Sequence, residues 1–116
     1  MKRFVRSVVH AVRGIGYTLR NERNFQVELA VAITVLCLMF WFPLSHLEDI
    51  LLLIVTALVL ILELINTALE RVMDILKPRV HPYARVVKDV MAGAVFIASC
   101  GAFIVGVIIF TPYMFR

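Results

Sequence analysis

Residues 60–74 read LILELINTALERVMD, and four of them could do chemistry: Glu63, Asn66, Glu70 and Asp74. The rest of the run is mostly aliphatic. A helix turns about 100° per residue, so these four and Thr67 all fall within about 60° of Glu63. Leu, Ile, Val and Ala hold the opposite side. A carboxylate at the centre of a bilayer helix costs about 2.5–3.5 kcal/mol, and ionisable residues kept there usually mark function. Three readings of this stripe are open. It could fix helix association in a non-enzymatic membrane assembly. It could line a proton or ion path, although the neighbouring apolar runs offer few matching polar groups. It could be a catalytic site at the membrane surface.

The third reading draws in more residues. Glu22 and Glu28 flank the start of the first apolar run and add hard oxygen donors. Mg²⁺ favours one or two carboxylates together with substrate phosphates, and the many nearby Lys and Arg suit phosphate. A partly desolvated Glu63 would serve as general base towards a lipid headgroup hydroxyl. Together these groups describe phosphoryl transfer from a nucleotide to a lipid. The sequence has no Walker A motif, kinase glycine-rich loop or kinase catalytic-loop signature, so the nucleotide must be held in another way. Arg71 and Asp74 could form a solvated pair, or Asp74 could belong to the site. Asp89 is expected to cap the third apolar helix or to orient Lys88, with metal coordination the alternative.

The elements that must position these groups are helices in a membrane. The 116 residues are 62% hydrophobic, against about 45–50% in soluble domains. Residues 90–110 carry no charge over 21 positions, and at about 1.5 Å per residue they cover one hydrocarbon core. We expect an all-α membrane protein forming one unit over residues 1–116. It comprises a surface helix over 2–24 and spans over about 27–42, 50–73 (with a cytoplasmic extension) and 90–112. In the surface helix Phe4, Val8, Val12, Ile15 and Leu19 share one face, while Arg6, His10, Arg13, Tyr17 and Arg20 share the other. That pattern suits a helix lying in the interface. Gly14 and Gly16 would weaken or bend it.

NERNF, 21–25, is the hinge into the first span. Ser45 with Glu48 three residues later has the capping-box spacing, and Pro78 and Pro82 stop the long middle helix. Ala94, Ala98 and Ala102 make a small-residue face suited to close packing, or are ordinary alanines. Cys37 and Cys100 are expected to be small core hydrophobes. No cleavable signal is expected. The formal net charge is +4, with six Lys or Arg among residues 2–23 and five among residues 71–88. The positive-inside rule then places the N-terminus and the 75–88 loop in the cytoplasm and the C-terminus outside.

ELINTALERVMD followed by HPYARVVKDVMAGAV resembles the small bacterial integral-membrane lipid kinases, the diacylglycerol and undecaprenol kinase family. The matching positions are Glu63, Asn66, Thr67, Ala68, Glu70, Asp74, Lys88, Asp89 and Ala94, and NERNF adds Asn21, Glu22 and Phe25. The resemblance covers essentially the whole chain. It implies a homotrimer in the bacterial cytoplasmic membrane with sites shared between subunits, MgATP as donor, a lipid alcohol as acceptor and no nucleic-acid partner. It assigns Glu63 as catalytic base and Glu22 and Glu70 as the Mg²⁺-coordinating acids. Arg3, His10, Glu22, Glu70, His81, Lys88 and Asp89 become nucleotide contacts, and Asn66, Glu28 and Asp74 line the site. His10 stands where many members carry tyrosine. ERNF is similar to the Gram-positive, undecaprenol-phosphorylating branch. Glu28 replaces the histidine common there and is similar to the diacylglycerol branch. Undecaprenol is the expected acceptor, diacylglycerol the alternative.

Overall fold

Four helices follow one another in a computed structural model that describes residues 1–76 and 82–115: α1 (Lys2–Asn21), α2 (Arg23–Trp41), α3 (His46–Leu76) and α4 (Tyr83–Met114). The last three are long and apolar enough to cross a membrane. At about 1.5 Å per residue, α3 with its 31 residues and α4 with its 32 each exceed a hydrocarbon core by about ten residues. The polar half of α3 can therefore leave the apolar layer without breaking its helix.

The middle helix is the shared element. It packs most extensively on α4, then on α2, and it touches α1. Leu52, Ile109 and Phe110 form the buried cluster at one end, with Val35, Leu38, Phe42 and Val105 against it. Phe42 stacks obliquely on Phe110 and Tyr113 at centroid distances of 6.0 and 6.1 Å. The Tyr113 hydroxyl donates to Glu48 Oε1 at 2.6 Å, tying the end of α4 to the start of α3. Most other large apolar side chains point outward; Phe40 is 90% exposed and Phe103 73%. Apolar surface on that scale belongs against lipid or another protein, not water. Cys37 and Cys100 are also exposed, which corrects their reading as core residues: their helix faces turn away from the small interior.

The start of α3 is fixed as its spacing suggests. Ser45 Oγ accepts the Glu48 N–H at 3.2 Å, and Glu48 Oε1 accepts the Ser45 N–H at 2.9 Å. This reciprocal pair satisfies two donors that a helix start leaves open. Ser45→Ala should lower stability by about 1 kcal/mol. Unfolding by SDS from mixed micelles would show this as an earlier midpoint.

Candidate active site

The site is built around a one-residue break. α1 ends at Asn21, Glu22 is extended with φ −119° and ψ 112°, and α2 begins at Arg23. The last carbonyls of α1 find partners locally. Tyr17 O accepts the Asn21 side-chain amide at 2.8 Å, Thr18 O the Glu22 N–H at 2.9 Å, and Leu19 O the Gln26 side-chain amide at 2.8 Å. Asn21 and Gln26 thus provide what a helix end lacks, and Phe25, 2% exposed, anchors the first turn of α2. The break turns α2 away from α1 and leaves Glu22 at the corner. α1 itself runs through Gly14 and Gly16 without interruption.

Glu63 lies opposite this corner on α3 and is 2% exposed. Thr67, one turn on and equally enclosed, donates its hydroxyl to Glu63 O at 3.0 Å. Asn66 donates from Nδ2 to Glu70 Oε1 at 3.4 Å and is also within reach of the Glu63 carboxyl. The carboxyls of Glu22 and Glu70 are near enough to Glu63 to act on it electrostatically, as is that of Glu28. Glu63 is thus within electrostatic range of three other carboxyls, one on α2, one on α3 and one at the break between α1 and α2. The Glu28 Oε2 atom is buried without a hydrogen-bond partner. Glu28 also lines an apolar cavity of about 490 Å³ between α2, α3 and α4, together with Ala32, Val59, Ala102 and Thr111.

Other residues expected at the site are placed less closely. Lys88 Nζ meets Asp74 Oδ1 at 3.3 Å, and Arg71 pairs with Glu22 at 2.6 Å. These two pairs replace an Arg71–Asp74 pair: the helix partners across the bundle win over the neighbour three positions along. Asp89 is exposed and lies seven positions into α4. It cannot cap that helix, whose start precedes the uncharged run. Arg3 and His10 lie on exposed α1, and among the described residues neither side chain bonds the acids. His81 lies outside the described residues. The contact missed by sequence reasoning is the reach of Arg71 to Glu22 and Tyr17. Its only signal was an arginine beside the polar stripe.

Could this donor set hold Mg²⁺? Among the described residues no group of three acids, cysteines or histidines is arranged as a ready protein cage. Mg²⁺ seldom needs one, since it keeps waters and phosphates and takes one or two carboxylates. Glu22, with one oxygen engaged by Arg71, and Glu70, held by a neutral amide, fit that requirement.

Fold and site together define a multi-pass membrane protein with a carboxylate site among its helices. The chain belongs to the prokaryotic diacylglycerol kinase family, which it matches over residues 9–110. It is 41% identical over 112 residues to the undecaprenol kinase of Bacillus subtilis, covering 97% of this chain and 91% of that one. It is 37% identical to a diacylglycerol kinase of Synechocystis, covering 89% and 59% of the two chains. Identity to the diacylglycerol kinase of Haemophilus influenzae is 32%, over 90% and 86%.

Proposed function

We propose that this chain is an ATP-dependent lipid kinase that transfers the γ-phosphate to the hydroxyl of a membrane lipid alcohol, with undecaprenol as acceptor. The observation that carries the chemistry is the enclosed Glu63, with Asn66 one turn on bonded to Glu70 and the carboxyls of Glu22 and Glu70 near enough to act on it. The acceptor rests on the 41% identity to an undecaprenol kinase across nearly the whole chain. Diacylglycerol is the second reading, favoured by the two relatives so named.

In this mechanism Glu63 takes the proton of the lipid hydroxyl as its oxygen attacks the γ-phosphorus, and ADP leaves. Asn66 spans Glu63 and Glu70 and keeps both carboxyls aimed. Glu22 and Glu70 would hold Mg²⁺, which neutralises phosphate charge when bound. Lys88, released from Asp74, is a mobile point charge suited to phosphate. Asp89, Arg3, His10 and His81 complete the nucleotide contacts on the family resemblance. Glu28 meets the acceptor headgroup with its unpartnered oxygen, and the apolar cavity beside it takes the first part of the lipid chain. Positioning and fixed charge supply the catalysis.

We place the surface helix α1 in the interface, the acids on the cytoplasmic side and the C-terminus outside, in a homotrimer whose partners cover the exposed apolar faces. Lipid-dependent ADP release from MgATP in mixed micelles tests the reading. Turnover with undecaprenol exceeding that with diacylglycerol is the expected result. Faster turnover with diacylglycerol reverses the acceptor. No turnover with either lipid, from folded protein, removes the kinase assignment.

A further inference from the structure

Arg71 reaches from α3 to both the end of α1 and the break that follows it. Its Nη2 donates to Glu22 Oε1 at 2.6 Å, and its Nε donates to the Tyr17 hydroxyl at 2.8 Å. Its guanidinium carbon also stands 5.7 Å from the centroid of the Tyr17 ring. One side chain on α3 therefore holds the corner residue and the last turns of α1. Among the described residues it is the one side-chain partner of Glu22. That carboxylate sits on a lone extended residue between two helices, where no regular element restrains its direction. The Arg71 and Glu22 side chains remain 37% and 20% exposed, so a ligand can reach the pair.

We infer that Arg71 is a positioning residue for the binding of a divalent cation with a nucleotide: it fixes Glu22 by one oxygen, leaves the other available, and pins α1 over the same corner through Tyr17. The inference rests on the assignment of Glu22 as a metal-binding acid. Groups that orient a metal ligand matter almost as much as the ligand, and their loss typically weakens metal binding about 10–100-fold. The fork of the guanidinium is what the task requires. Two donors of fixed relative direction meet two acceptors, the Tyr17 hydroxyl on α1 and the Glu22 carboxylate at the break, which the single ammonium of lysine cannot reproduce. A pure charge effect would act in the opposite sense, because a cation beside a carboxylate competes with a metal for it.

The test uses the full chain in detergent micelles and Mn²⁺ as the probe, with a non-hydrolysable ATP analogue. Free Mn²⁺ is followed by its paramagnetic resonance signal, and trypsin cleavage at the arginines of α1 reports whether that helix stays docked. Arg71→Ala and Arg71→Lys are both expected to weaken Mn²⁺ binding on the order of tenfold and to speed cleavage. Tyr17→Phe keeps the ion pair, so it should speed cleavage while weakening Mn²⁺ binding less. It also supplies the comparison if loss of Arg71 unfolds the chain. Lysine matching wild type, or alanine binding Mn²⁺ more tightly, overturns the inference in favour of charge competition. Faster cleavage with unchanged Mn²⁺ binding overturns it in favour of a structural tether. A wild-type chain that takes up no Mn²⁺ with the analogue overturns it together with the metal role of Glu22. A loss confined to the variants, or absent from them, bears on Arg71 alone.

Discussion

Glu63→Gln is expected to lower lipid-dependent ADP release by about 10²–10⁴-fold, the usual range for a positioned general base. The substitution is nearly isosteric. Thr67 bonds the backbone carbonyl of residue 63, not its side chain, so the helix keeps that contact. Glutamine removes one charge from a group of neighbouring carboxylates, so mutual repulsion falls and the fold should be at least as stable. A buried site of 2% exposure gives water little chance to replace the missing base. Nucleotide affinity should change little while kcat collapses, the pattern of an interaction made only in the transition state. Single-turnover measurements at saturating MgATP would separate the two quantities. A variant that retains turnover within a few-fold of wild type would remove Glu63 as the base. One that loses its fold instead would favour the assembly role left open by the polar stripe.

Periodicity made the polar stripe of α3 visible, because Glu63, Asn66, Thr67 and Glu70 share one helix and their mutual directions follow from its pitch. The same reasoning exposed the Ser45–Glu48 start, which is also local. It could not show the partners of Arg71 and Lys88. Those are chosen across helices, by how α1, α2 and α4 are set against α3, and an arginine reaches far enough to pass over its own helix neighbours. The capping role read for Asp89 failed for a related reason. The uncharged run marks where the bilayer begins, whereas α4 begins earlier, at Tyr83, since a helix in a polar layer needs no apolar side chains. The exposed cysteines carry the same lesson. In lipid, apolar residues have two acceptable surroundings, and composition does not distinguish a core face from a lipid face. The acids gathered legibly because burying charge is costly enough to demand company. The apolar residues did not, because nothing penalises either choice.

Glu70→Gln should act on a different quantity. Its Oε1 accepts the Asn66 amide at 3.4 Å, and glutamine offers an acceptor oxygen at the same place. Local geometry should therefore survive, with Asn66 still aimed at its neighbours. What is lost is the negative charge and the hard anionic oxygen that favour Mg²⁺. Loss of an orienting partner alone costs about 10–100-fold in metal affinity, and loss of a ligand should cost at least the lower figure. The half-saturating Mg²⁺ concentration at fixed ATP is thus expected to rise by about tenfold or more, with part of the turnover recovered at high Mg²⁺. That recovery separates Glu70 from Glu63, whose loss no excess of metal should repair. Titrating Mg²⁺ against both variants in one assay therefore assigns the two acids to different tasks. An unshifted Mg²⁺ curve for Glu70→Gln would leave Glu22 as the metal-binding acid and make Glu70 a support for Asn66.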